Sequence, residues 1–229
     1  MRLLEMFNTG GVWMWVILAF GVAAFAIIVE RFYFLYLKRK PNQKEYVASL
    51  ENSIRSGDLA TVSSQCANDS AFHPIAPAIA AATNVVLNHG GKEEIQGKMD
   101  EVLLHEVEKV ESRIGFLAML ANVATLTGLL GTIAGMIKSF AAVANANPAE
   151  KATLLAGGIS EAMNTTAFGL IVAIPTLVIF ALMTSRGNKI VEDLTQGSLK
   201  VYNWLSYTFE SPTPKVKQKI KSYSPQTNA

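Results

Sequence analysis

ISEAMNTTAFGLIVAIPTLVIF, residues 159–180, begins with an acid, an amide and two hydroxyls and ends as an uncharged apolar run. Its apolar part belongs to a longer stretch, Ala162 to Ser185, that contains no Asp, Glu, Lys or Arg. Two other stretches share that property, Met6 to Val29 and Ile114 to Ile137. Each of the three holds 24 residues. As helix that is about 36 Å, against roughly 30 Å of hydrocarbon to be crossed. Half of the 229 residues are hydrophobic and only 17% are charged, which argues against an ordinary soluble domain. The expected fold is an all-α integral membrane protein with three transmembrane helices. The first run continues into ERFYFLYLKRK (30–40) with no cleavage site, so it is read as a retained span and not as a signal peptide.

Orientation follows from the basic residues beside the span ends. Arg31, Lys38, Arg39 and Lys40 follow span one, Lys109 and Arg113 precede span two, and Arg186 and Lys189 follow span three. The other side has only Arg2, Lys138 and Lys151. This places the N-terminus outside and the C-terminus in the cytoplasm. The expected divisions are an external N-terminus with span one (1–37), a cytoplasmic helical region (38–92) and a long helix holding span two (93–144). A short external loop (145–158), a long helix holding span three (159–209) and a disordered basic tail (210–229) follow. In the second division, Gln43 to Arg55 and Leu59 to Cys66 read as helices around a Ser56-Gly57-Asp58 turn, and Ile75 to Leu87 is an apolar helix that packs on its neighbours or lies near the membrane surface. Ile95, Met99, Val102, Val107, Val110 and Ile114 form one apolar stripe, and Ile190, Leu194, Val201 and Leu205 another, so the two long helices are expected to continue into a cytoplasmic bundle. The tail, with its lysines and prolines, suits solvent or anionic membrane lipids.

No constellation for catalysis is present, and the chain is not expected to be an enzyme. Cys66 is the only cysteine, which excludes an intrachain disulfide, and His73, His89 and His105 lack metal-ligand spacing. A net charge of +2 gives no footprint for nucleic acid, and no cofactor is expected.

The informative residues are the polar and small ones inside the spans. Ala121, Thr125, Gly128, Thr132, Gly135 and Ser139 follow one another at steps of four and three, on one face of a helix. Ala162, Thr166, Gly169, Ala173 and Thr176 form a matching face in span three. Two readings stand beside each other. Small residues let membrane helices approach, which accounts for Gly128, Gly131, Gly135 and Gly169 as packing positions. Hydroxyls facing one another can also ligate a cation or hold water, which makes Thr132 and Thr166 ion-pathway residues, with Thr125, Thr165, Asn164 and Ser139 as further pore-lining candidates. Glu161 has two readings as well. It is a first-turn acid behind a Ser160 N-cap, or it is a functional carboxylate at the mouth of the hydroxyl-bearing face. Pro175 removes one backbone hydrogen bond and is expected to bend span three. None of the spans carries an Asp or Glu deep in lipid, so if the protein conducts protons the central titrating carboxylate is expected on another chain.

ANVATLTGLLGTIAGMIKSF (121–140), followed by GGISEAMNTTAFGLIVAIP (157–175), resembles the paired signature of the MotA/TolQ/ExbB proton channel family, and the ERFYFL exit of span one is similar too. Three spans resemble the ExbB and TolQ type more than the four-span MotA. The resemblance implies a pentamer of this chain around the helices of an ExbD- or TolR-like dimer. It further implies a proton carried by a partner aspartate, with work done on a TonB-like or other envelope protein of the bacterial inner membrane. It places the family's pore threonines on Thr132 and Thr166 and its pore-mouth glutamate on Glu161. Thr125 and Thr127 depart from the family pattern of a proline and a hydrophobe, and their added oxygens open a sodium-driven alternative. A non-conducting membrane scaffold, whose small stripes only pack helices, is the reading from a different class. The machine that is driven (TonB-dependent uptake, envelope constriction or motility) is not encoded in these motifs.

Overall fold

The computed structural model describes residues 11–38, 43–144 and 146–209, and no β-strand occurs among them. The tail at 210–229, the residues before Gly11, and Arg39 and Lys40 of the first basic flank lie outside the described residues. Among the described residues seven helices follow in order: α1 (Val12–Phe32), running on as a π-helical turn over Tyr33–Lys38, then α2 (Gln43–Ser56), α3 (Leu59–Asp69), α4 (Ala76–Leu87), α5 (Lys92–Glu111), α6 (Ile114–Ala144) and α7 (Pro148–Phe209). Three helical stretches among the described residues, one in each expected span, are long and apolar enough to cross a membrane. The chain divides into two units, one within residues 1–37 and 111–187, the other within 38–110 and 188–229.

The first unit holds the apolar spans, and its interior inverts the usual pattern. Ala24, Ala121, Ala124, Gly128, Gly131, Gly135, Ala162, Gly169 and Ala173 are buried, whereas Phe25, Phe116, Leu126, Ile133, Ile137, Ile171 and Val178 are exposed. Water would drive those large side chains inward; hydrocarbon does not, and helices in lipid associate through small residues instead. Larger side chains close one end of the unit, where Leu35, Ile114, Leu117 and Met183 are buried together.

The second unit has an ordinary core. Tyr46, Val47, Leu50 and Ile54 of α2 pack with Leu59, Val62 and Cys66 of α3, Ile79 and Ala82 of α4, Ile95 and Met99 of α5, and Ile190, Leu194, Val201 and Leu205 of α7. The stripes of α5 and α7 are thus joined by α4, which takes the packing option left open for Ile75 to Leu87. The turns are closed by backbone chemistry. Gly57, at φ 82, ends α2 while Gly57 N–H bonds to Ile54 O (3.2 Å) and Asp58 N–H to Ser53 O (3.1 Å). His89, at φ 61, ends α4 in the same way, with Gly90 N–H on Val85 O at 2.9 Å. Both are Schellman caps, the second with a histidine in the left-handed position that glycine usually fills. The one cysteine is buried, and the Tyr46 hydroxyl donates to its Sγ at 3.5 Å. A Lys44–Asp193 ion pair at 3.1 Å ties α2 to α7, with the Asp193 side chain only 9% exposed.

Two boundaries differ from expectation. The single helix expected over 93–144 is broken at Ser112-Arg113, where Arg113 takes φ 63. A left-handed arginine costs on the order of 1 kcal/mol, and tertiary bonds hold it there. Arg113 reaches Glu30 of α1 at 2.6 Å, and Arg31 donates to the Ser112 hydroxyl at 2.7 Å. The loop expected over 145–158, with a helix from 159, is also corrected, because α7 is helical from Pro148. Asn147 begins it, its carbonyl accepting from Glu150 and Lys151 N–H groups. Proline at the first helical position and an acid in the first turn are favourable there.

Candidate functional site

The contact between α6 and the first part of α7 is made almost without side chains. A methyl group added at Gly169 would stand 2.9 Å from the Ala124 carbonyl oxygen, and one at Gly128 would stand 3.2 Å from Thr166 Cα and 3.5 Å from Gly169 Cα. Further along, Gly135 faces Ala162, with only 3.0 Å left for a Cβ, and Ser139 fills the space beside Gly158. Gly131 lies under the Thr165 methyl and beside Trp13 of α1. All four candidate packing glycines, Gly128, Gly131, Gly135 and Gly169, therefore sit at helix contacts.

A cross-helix hydrogen bond projects into this close approach. Thr166 donates its hydroxyl to the Gly128 carbonyl at 2.9 Å. The other hydroxyls bond within their own helices: Thr125 to Ala121 O (3.1 Å), Thr132 to Leu129 O (2.6 Å), Ser139 to Gly135 O (2.8 Å) and Thr165 to Glu161 O (2.9 Å). Each donor is thereby satisfied while the oxygen keeps lone pairs for another ligand. Thr132 and Thr166 lie within one turn of the same level, yet they are not bonded to each other. Ser139 and Thr165 are buried, whereas Thr125, Thr132, Thr166 and Asn164 are only partly covered. The buried face of α6 runs through Ala121, Ala124, Gly128, Gly131 and Gly135. The stripe read from the sequence is rotated from it, so that Thr125 and Thr132 fall on its flank.

Glu161 lies well inside α7, so the Ser160 N-cap reading does not apply. Its carboxylate meets Lys138 of α6, Nζ to Oε2, at 3.4 Å, with the Lys138 side chain 74% and the Glu161 side chain 29% exposed. Its other oxygen backs onto Gly11 at the start of α1, where a Cβ would stand only 2.6 Å from Oε1. The pair lines a cleft of about 180 Å³ with Val12, Trp13, Gly131, Ala134, Gly135 and Thr165. Lys138 as partner of Glu161 is the site residue that sequence reasoning missed. The signal was there: Lys138 is the only charged side chain between Arg113 and Glu150, and Glu161 the only acid between Glu150 and Glu192. Charge recurs at the other end of the spans, in the Arg113–Glu30 and Arg31–Ser112 contacts and in Arg186, whose guanidinium stands 5.5 Å from the Tyr36 ring centre. Among the described residues no group of His, Cys, Asp and Glu has the makings of a metal site.

A model of the MotA/TolQ/ExbB proton channel family matches residues 70–196, more than half of the chain and inclusive of α6 and the hydroxyl-bearing part of α7. The chain is a member of this family. Similar proteins carry the same names. An ExbB homolog of biopolymer transport from Methanothermobacter thermautotrophicus is 26% identical over 202 residues, covering 88% of this chain and 69% of that one. The Tol-Pal system protein TolQ of Haemophilus influenzae is 37% identical over 95 residues, 42% of this chain and 41% of its own. The biopolymer transport protein ExbB of Pseudomonas putida is 32% identical over 99 residues, 43% of this chain and 30% of its own. The last two matches span less than half of either partner. As a family member with three membrane-crossing helices, the chain is a multi-pass membrane subunit of the proton-channel type.

Proposed function

We propose that this chain is a stator-like ion-channel subunit of the bacterial inner membrane, without enzymatic activity. With an ExbD- or TolR-like single-span partner it couples proton flow to mechanical work on a TonB-like or other envelope protein. The observation that carries the reading is the α6–α7 layer, in which Thr166 and Thr132 lie within one turn of each other and Glu161 occupies the cleft beyond them. A proton entering past Glu161 meets hydroxyl oxygens that accept while their own protons are held by backbone carbonyls. The three charge-free spans supply no carboxylate to receive it, so the partner's helix does, inside a ring of this chain that is proposed to be a pentamer. The basic flanks put the N-terminus in the periplasm and the C-terminus in the cytoplasm.

Sodium is the second reading, supported by Thr125 and Thr132, whose partly exposed oxygens sit on the flank of α6. The test is reconstitution of the full chain with the single-span protein that copurifies with it. Flux driven by a pH gradient, and lost on Thr132→Val with Thr166→Val, is expected. Flux that follows a sodium gradient alone selects sodium. A complex that assembles and conducts neither ion, or a chain that recruits no such partner, refutes the channel reading in favour of a scaffold.

A further inference from the structure

The Glu161 carboxylate would be an open cation site if it stood alone at the cleft. It does not stand alone. Lys138, on the facing helix and one turn from Ala134, reaches it at 3.4 Å and lines the same cleft. The two sides of the pair are built differently. Glu161 is the more covered partner, and its Oε1 rests against Gly11 at the start of α1, where a Cβ would stand 2.6 Å away. Lys138 is free to move, because most of its side chain is exposed and its long stem is flexible. A more exposed, covalently attached cation resting on a more covered anion competes with any cation that arrives from outside.

We propose that Lys138 is a tethered counter-ion that occupies Glu161 at rest and must be displaced when the driving cation enters, so that it sets the cation concentration at which the channel fills. This rests on the channel reading above and adds a positioning and specificity residue to it. Lysine and the incoming ion cannot both neutralise one carboxylate, and because the displaced ammonium stays tethered nearby, the mouth gains one positive charge when the ion enters. An exposed ion pair of this kind contributes about 0.2–1 kcal/mol, so its removal lowers the half-saturating cation concentration by about 1.4- to fivefold. The maximal flux is set deeper in the pathway and is not expected to follow.

The experiment uses the full chain with its copurified partner in phosphatidylethanolamine–phosphatidylglycerol vesicles, with protons in one series and sodium in the other. Initial flux is read against external cation concentration. Lys138→Gln is expected to lower half-saturation by about 1.4- to fivefold at an unchanged ceiling, and Lys138→Arg to keep the original value. In a Glu161→Gln background, Lys138→Gln is expected to shift nothing, because the anion for which lysine competes is gone. An equal shift in both backgrounds means that Lys138 acts only as surface charge, and no shift in either means that it has no part in filling; each result overturns the proposal. Wild-type complex that carries no flux at all refutes the channel reading and the tether together. Thermal unfolding of each variant in detergent identifies any that is misfolded, and Lys138→Met then repeats the charge removal with a similar stem.

Discussion

Replacing Thr166 by valine removes one hydroxyl and keeps the shape of the side chain, so the change is chemical and not steric. The hydroxyl donates to the Gly128 carbonyl at 2.9 Å, the cross-helix bond of the glycine-lined contact. Gly128 lies in mid-helix, where its carbonyl also faces the intrahelical N–H of residue 132, so losing Thr166 leaves no orphaned acceptor. The stability cost therefore falls near the typical value for an interhelical bond in a membrane, about 0.6 kcal/mol, with about 1.7 kcal/mol as the upper end. That is close to a threefold change in the folded-to-unfolded ratio, too small to empty the folded population of a protein stable by several kcal/mol. Ion flux responds differently if this oxygen is a station on the pathway, because valine offers nothing in its place. We expect Thr166→Val to lower flux by roughly tenfold or more while its unfolding in detergent shifts by no more than that one bond. Thr166→Ser should recover most of both. The assay pairs vesicle flux with denaturant unfolding of the same preparation. A flux that falls only as far as the folded fraction falls would return Thr166 to packing and remove it from the mechanism.

Other expectations are direct. Gly169→Ala should destabilise the chain by about 1–3 kcal/mol, since its methyl meets a backbone carbonyl that cannot rotate away, whereas Gly115→Ala, with open space around it, should change little; thermal unfolding distinguishes them. Glu161→Gln should lower cation flux while leaving the α6–α7 packing intact, and unchanged flux would remove Glu161 from the pathway. Burial pushes the Cys66 thiol above its ordinary value, with the Tyr46 hydrogen bond acting against that shift, and burial pushes the Tyr46 phenol up as well. Folding therefore favours the neutral forms, so their contribution is complete below the unfolded-state thiol range, near pH 8.5, and is lost as pH rises toward the folded-state values. Denaturant titrations between pH 7 and 10.5 should show that decline, and Cys66→Ala should reduce its slope. A thiol reagent should label native protein slowly at every pH below it.

The spans were legible because lipid leaves a blunt mark: 24 residues without a charge need no further context. The helices of the second unit were legible through ordinary periodicity, as Tyr46, Val47, Leu50 and Ile54 show. Two boundaries were misread for opposite reasons. At Asn147-Pro148 a helix-start signal stands well ahead of the charge-free run from which the span is counted; Gly157 and Gly158 are tolerated in the helix, and Gly158 is where Ser139 packs. At Arg113 no local signal existed, and the residue that its side chain meets, Glu30, is more than eighty positions away in sequence. The hydroxyl stripe lies one row away from the buried face. Small residues occupy two adjacent rows of α6, one through Gly128, Gly131 and Gly135 and one through Thr125 and Thr132, and periodicity cannot say which row meets the neighbour. Lys138 is visible in the sequence as a lone flanking charge, but its pairing with Glu161 depends on a helix contact that spacing does not encode.

A joint in which backbone rests on backbone has no rotamers to exchange. Side-chain interfaces yield by small steps, as each group finds another well, but the Gly128–Gly169 crossing has only two conditions, seated or apart. Whatever movement accompanies a passing ion must then be taken up where side chains remain, along the flank that carries Thr125 and Thr132 and in the lysine that swings beyond it. Stiffness at the crossing and compliance beside it are properties of one helix, written in alternate rows of the same five turns.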